Sequence, residues 1–270
     1  MVNMKRFLKN RNVRFWLSLV ISFSLPIWFG WRRYRHQNLN HQLLNAIRRE
    51  DTQAALAALE NGADGNALEH SQKGNIWQNF WNNLSGHSSV SYDDPTALIL
   101  ALRRKDNQGV SGPEVYPKED TNLINALILH GAQVNEYDIS GFMPLTYAIE
   151  GGKNATSRLL IQKGAIVNQA GGNNVLNSAA TLPEIDADIV EMMLLRGADP
   201  NLKDTADQPA LARAISSTQP DKVRVLLRYH ANPNVRIYNG ASALSSARAN
   251  AKDPKMHEIM QMLEKAGAVK

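Results

Sequence analysis

Side chains able to carry acid–base, nucleophilic or metal chemistry are scattered along this chain. Cysteine is absent, which removes thiol nucleophiles, thiolate metal sites and a cysteine-linked lipid anchor. The seven histidines are His36, His41, His70, His87, His130, His230 and His257. They form no His-Glu-x-x-His pair, and neither a Gly-x-Ser-x-Gly elbow nor a phosphate loop ending in Gly-Lys-Ser/Thr occurs. His130 and His230 fall at expected helix ends, where an imidazole can meet last-turn carbonyls. The one local group of acids, Glu184, Asp186 and Asp188, follows Pro183 at the start of an expected helix. It reads as a first-turn match to the helix dipole, with a cation site as the competing reading. Asn83-Leu84-Ser85 and Asn154-Ala155-Thr156 match a glycosylation pattern, which matters only in a eukaryotic secretory setting. The expectation is a chain that is not an enzyme and uses no cofactor or metal.

Charge narrows the class further. The chain has 30 Lys plus Arg against 25 Asp plus Glu, but eight of the basic residues and none of the acidic ones lie in residues 1–38. The remainder holds 22 basic and 25 acidic residues. The high isoelectric point therefore belongs to the amino-terminal segment, and a nucleic-acid partner, which needs a basic face on the domain, is not expected.

The elements that position these residues repeat. Gly131-Ala132-Gln133-Val134-Asn135 recurs as Gly164-Ala165-Ile166-Val167-Asn168, as Gly197-Ala198-Asp199-Pro200-Asn201 and as His230-Ala231-Asn232-Pro233-Asn234, each 33 residues after the last. A fixed period of this length means stacked structural units. In the unit from Asn135 to Asn168, Asp138 and Gly141 suit a tight turn. Pro144 suits a first helical turn. Leu145, Ala148 and Ile149 form an apolar face. Gly151 and Gly152 end that helix, and a second helix with Leu159, Leu160 and Ile161 stops at Gly164, after Lys163. The small Ala148, Ala179, Ala214 and Ala247 follow Leu145, Leu176, Leu211 and Leu244 by three residues, which lets first helices approach closely.

The unit resembles an ankyrin repeat, whose pattern is Asp-x-x-Gly-x-Thr-Pro-Leu-His-x-Ala, then Leu-Leu, then Gly-Ala-x-x-Asn. The copy from Asp138 to Asn168 matches best, with Met143-Pro144-Leu145-Thr146 in place of Thr-Pro-Leu-His. In the copy from Asn201, Asp207 stands where glycine is usual, and the copy after Asn168 is two residues short in its hairpin. The resemblance implies an all-α solenoid of about six helix-turn-helix units over roughly residues 39–270. Lys255, His257, Glu258, Gln261, Glu264 and Lys265 give the last helix the polar coat of a terminal cap.

Two inserts break the register, at about 67–92 and 106–118. The second, with Gly109, Gly112, Pro113 and Pro117, reads as an exposed loop. The first contains Trp77, Phe80, Trp81 and Leu84 at i, i+3, i+4, i+7, an apolar helix face. Either it buries its aromatics on the first two units, or Trp77 and Trp81 form part of a partner surface.

Residues 15–31 are free of charge and carry Trp16, Trp28 and Trp31 near their ends. They predict a short transmembrane anchor between a basic tail, 1–14, and a basic linker, 32–38. A cleaved signal peptide is the competing reading. Five basic residues before the span against three after it lean towards repeats outside the cytoplasm.

The resemblance implies protein binding through hairpin tips and the exposed side of the first helices. By motif position these are Tyr137, Ile139, Ser140, Phe142 and Glu150, then Lys203, Thr205 and Gln208, then Arg236, Tyr238 and Asn239. The expected function is a membrane-tethered binder of another protein, a toxin or effector at a bacterial envelope being the sharper version. The alternative is a membrane scaffold organised by the anchor and the Trp77 helix.

Overall fold

The computed structural model describes residues 31–32, 34–68, 95–103, 119–168, 174–237 and 240–269. Residues 15–30 of the expected anchor, Trp77 and Trp81, the 106–118 insert, and Tyr238 and Asn239 lie outside these residues. Among the described residues no helix is long and apolar enough to cross a membrane. Their secondary structure is helical apart from three isolated bridges. The chain divides into two compact units, Met1–Asp64 and Gly65–Lys270.

The described residues of the first unit form one helical hairpin. Helix α1 covers 34–48 and α2 covers Thr52–Glu60, capped by the Asp51 carboxylate, which accepts from Ala54 N–H at 2.9 Å. Leu43, Ile47 and Leu59 are almost fully buried. Gly62 takes φ +100°, and Ala63 N–H closes the end of α2 on the Ala58 carbonyl at 2.9 Å.

The second unit is a stack of helix pairs: α3 (Ala97–Leu102) with α4 (Thr121–Leu129), α5 (Pro144–Glu150) with α6 (Asn154–Gln162), α7 (Val175–Thr181) with α8 (Ala187–Leu195), α9 (Ala210–Ser216) with α10 (Pro220–Arg228), and α11 (Ala243–Ala249) with α12 (Pro254–Lys265). First helices pack on first helices along α3, α5, α7, α9 and α11, and second helices likewise along α4, α6, α8, α10 and α12. Each pair alone would leave an apolar stripe wet, so burial is shared between neighbours. Ala148, Ala179, Ala214 and Ala247 are fully buried, as the close approach of first helices requires. Ile149, Leu160, Leu176, Ile189 and Leu226 fill the layer between the rows, at about 1.5–3 kcal/mol each.

Sequence sets the helix ends. Thr96, Asp120, Asn174, Ser242 and Asp253 cap N-termini with side-chain oxygens, and Pro144, Pro220 and Pro254 occupy first-turn positions where no N–H is needed. The arms leading into the helices meet in bridges, Leu68 with Thr96, Lys203 with Pro209, and Arg236 with Ser242. The first of these shows Ala67 and Leu68 serving as a regular hairpin arm, since Ala97 N–H bonds the Ala67 carbonyl at 2.8 Å. The register break therefore starts beyond residue 68.

Candidate functional site

The hairpin tips are built by an aspartate that folds the backbone around itself. Asp138 accepts from the N–H groups of Ser140 and Phe142 at 2.9 Å each, and from the Tyr147 hydroxyl. Asp204 does the same with Ala206 at 2.9 Å and Gln208 at 3.1 Å. The partner at position 147 becomes Arg213, whose Nε donates to Asp204 Oδ2 at 2.7 Å. Each tip thus takes its shape from its own first helix. Burial, the Asp138 hydrogen bond and the nearby carboxylate charge push the Tyr147 phenol up to about 12. Two backbone N–H bonds and the Arg213 pair hold the Asp204 carboxyl below its usual range against the pull of burial.

This geometry separates the expected binding residues. Tyr137 and Ile139 are 52% and 63% exposed, and Ser140, Lys203, Thr205 and Arg236 also face solvent. Lys203 pairs with Asp207 at 2.9 Å, and Arg236 donates to the Gly240 carbonyl at 2.7 Å. Phe142 is half-buried and Gln208 buried. Phe142 stands edge-on to Tyr147 at 5.8 Å, and Gln208 is only 8% exposed. Both sit on the arm entering the first helix, not on the tip, because their carbonyls close the turn on Asp138 N–H and Asp204 N–H.

The asparagine ending each signature holds neighbouring units together. Asn135 donates to the Gly164 carbonyl at 3.0 Å and accepts from Ile166 N–H at 2.8 Å. Asn168 does this with Gly197 and Asp199, and Asn201 with His230 and Asn232. Asn234 accepts from Val269 N–H at 2.8 Å. A two-point bond between successive loops sets the spacing at which the tips are displayed. His130 and His230 contribute through backbone carbonyls, which accept from Gly65 N–H and Asn201 Nδ2, rather than through imidazoles.

Glu184, Asp186 and Asp188 are also a joint between units. Arg158 on α6 grips Asp188 at 2.8 Å and Asp186 at 2.5 Å, while Asn154 donates to the Glu184 carbonyl at 2.8 Å. The amide of that second glycosylation match is therefore engaged within the fold. Among the described residues no group of three or more acids or histidines is arranged to hold a metal ion.

Two lysines are buried at joints. Lys153 donates to the Leu102 carbonyl at 2.6 Å, and Lys222, 3% exposed, donates to Ala179 at 2.8 Å and to Leu182. They satisfy carbonyls at the ends of α3 and α7. Burial lowers the Lys222 ammonium from 10.5 to about 8, against the opposing pull of Glu184 and Asp186.

The first helices present two rows, the first half-buried throughout and the second exposed except at Thr181. Two residues after the buried leucine stand Leu100, Tyr147, Ser178, Arg213 and Ser246; five after it stand Arg103, Glu150, Thr181, Ser216 and Ala249. The Arg103 guanidinium lies 5.7 Å over the Tyr147 ring. At α7 both rows shrink to Ser178 and Thr181, which opens a cleft of about 340 Å³ between Glu150 on one side and Arg213 and Asp204 on the other. Of the expected residues it contains Glu150 and Thr205. Asn177, Ser178 and Arg213 escaped the reading of the sequence. Aligning the copies on their leucines, and asking where a large side chain gives way to a small one, would have found the gap.

Residues 115–204 match the family described as ankyrin repeats, in three copies. An ankyrin repeat-containing protein of Treponema pallidum is 27% identical over 128 residues, 47% of this chain and 43% of the relative. An ankyrin repeat protein of Fowlpox virus is 29% identical over 141 residues, 52% of this chain and 32% of the relative. The chain thus spans less than half the length of these curated relatives.

Proposed function

We propose that this chain, an ankyrin-repeat protein, binds another protein through its exposed tips and the two rows of its first helices. Ankyrin repeats generally mediate protein–protein binding. The observation that carries the reading is the contrast between a frame tied together by the Asn135, Asn168 and Asn201 bonds and the side chains it leaves solvated, Tyr137, Ile139, Lys203 and Arg236. A prearranged surface loses little entropy on binding, and tyrosine and arginine are enriched where binding energy concentrates.

In this reading the uncharged segment 15–31 holds the repeats at a membrane, with the repeats on the outer side of a bacterial inner membrane. Trp31, 58% exposed beneath the Arg35 guanidinium at 5.8 Å, suits an interfacial position. Steric masking of a toxin or effector is the sharper version and rests on fold-level analogy. Co-expression with a toxin encoded beside it tests that version, and lack of protection removes it.

The main test is a partner captured from detergent-solubilised membranes and titrated against a variant with Tyr137, Ile139, Lys203 and Arg236 all changed to Ala. At least ten-fold weaker binding is expected; unchanged affinity removes the tips from the surface. Removing residues 1–38 leaves partner binding intact if the repeats do the binding, and abolishes it if the anchor organises the complex.

A further inference from the structure

We propose that the edge of the stack where the second helices end lies on a bilayer surface bearing anionic phospholipid; this rests on the reading of residues 15–31 as the segment that holds the repeats at a membrane. The placement of exposed apolar side chains carries the inference. Among the described residues of the Gly65–Lys270 unit, the large apolar side chains left exposed are Leu129, Tyr137, Ile139, Ile166, Leu195 and Val269. Tyr137 and Ile139 belong to a tip. The other four all stand at the loops that close the second helices. Leu129 and Leu195 come two residues before Gly131 and Gly197, and Ile166 and Val269 come two residues after Gly164 and Gly267. The bonds from Asn135, Asn168, Asn201 and Asn234 to each following loop set these loops side by side. One exposed leucine is ordinary on a protein surface, but several gathered at one edge mark a contact.

Charge is the second observation. At the same loop positions stand Lys163, Arg196, Arg228 and Lys265, all exposed, with Asp199 the one acid. Asp199 is occupied in its own loop, accepting from Asn201 N–H at 2.8 Å, and Arg228 pairs with Glu191 at 3.0 Å. The edge is thus cationic in a chain that beyond residue 38 holds 22 basic and 25 acidic residues. The helix dipole accounts for basic residues in a last turn. It does not account for leucine, isoleucine and valine standing exposed between them.

A bilayer interface accepts both kinds of side chain at once. Apolar groups enter the boundary between headgroups and acyl chains, while lysine and arginine meet lipid phosphate. A nucleic acid would take the cations and leave the apolar side chains wet. An uncharged protein face would cover the apolar side chains and strand the cations. The uncharged segment 15–31 of the same chain supplies the bilayer in this reading.

The chain has no cysteine, so Leu129→Cys, Leu195→Cys and Ala155→Cys variants of the full chain each carry a single nitroxide label. Ala155 is exposed at the start of α6 and lies about 12 Å from Lys163 along that helix. Each variant is reconstituted in phosphatidylcholine vesicles with or without phosphatidylglycerol, and collision with a neutral aqueous nickel chelate is read by electron paramagnetic resonance. With phosphatidylglycerol, the labels at 129 and 195 are expected to become about three-fold or more less accessible, and the label at 155 to stay unchanged. Adding Lys163→Gln and Arg196→Gln is expected to restore access while leaving the unfolding curve in place. Equal access in the two vesicles, equal shielding at 155, or shielding that survives the double substitution overturns the assignment. Shielding that appears only when the captured partner is added gives the edge to a protein and also overturns it. If the full chain floats with neither vesicle, the membrane reading falls and this inference with it. If it floats with both while the labels at 129 and 195 stay accessible, the edge alone is refuted.

Discussion

Thr218 and His230 hold left-handed backbone, at φ +53° and +65°. The matching places in an earlier repeat are taken by Gly152 at +64° and Gly164 at +90°. A β-branched residue is strained there, by about 1–2 kcal/mol, while glycine gives back part of that through a more flexible unfolded chain. Thr218→Gly is therefore expected to raise stability by about 1 kcal/mol, read as a higher urea midpoint with unchanged slope. A lower midpoint would mean that the Thr218 hydroxyl contact to Met256 sulfur, 3.8 Å long, outweighs the strain.

Lys222 makes stability depend on pH. Its folded value of about 8 lies below the 10.5 of an ordinary lysine, so between those values the unfolded chain holds more protons. Raising pH through that window favours the folded state, and below it the effect is flat. Wild type is expected to gain on the order of 2 kcal/mol relative to Lys222→Met between pH 7.5 and 10.5. Urea titrations of both chains at each pH check this, and a constant difference would show an unperturbed lysine.

Between helices, the asparagine bonds and the glycine approaches decide whether one unit can seat on the next. Asn168→Ala removes a donor bond at 2.6 Å and an acceptor bond at 2.9 Å to the following loop. The expected loss is about 1–2 kcal/mol, with Asn234→Ala losing less, since among the described residues its side chain makes one bond, to Val269 N–H. Equal effects at the two positions would show that these bonds do not set the joint. Gly65 is harder to replace. Its N–H bonds the His130 carbonyl at 2.9 Å, and an added Cβ would lie 2.2 Å from the Leu127 carbonyl oxygen. Gly65→Ala is expected to cost more than about 2 kcal/mol and to loosen the seating of α4, seen as faster amide exchange at Leu127 and Ala132. The recurrence of Asn135, Asn168 and Asn201 was legible, because a period is a property of order along the chain. Their partners were not, because each bond joins residues about thirty positions apart. Arg158 and the acids of α8 stayed unpaired on paper for the same reason.

Among the described helices of the Gly65–Lys270 unit, the substantial contacts run within a pair or between neighbouring pairs, so stability follows from units and joints. Ending the chain at residue 237 strips α11 and α12 and uncovers the faces of α9 and α10. A lower urea midpoint and a smaller denaturant slope are expected, the slope falling with the surface buried. An unchanged midpoint would show that the terminal pair protects nothing.

Order along the chain was enough to establish the 33-residue period, the capping residues, the turn-forming aspartates and the buried alanines, because these depend on neighbours within a few positions. The same local signals did not reveal that Gln208 is buried, because its exposure depends on which side of the turn packs inward. Folding alone settled that Arg213 answers Asp204 and that Lys153 and Lys222 end inside the stack. Those outcomes are meetings of distant residues, produced when successive helix pairs bury their apolar faces against one another, and no local pattern encodes them.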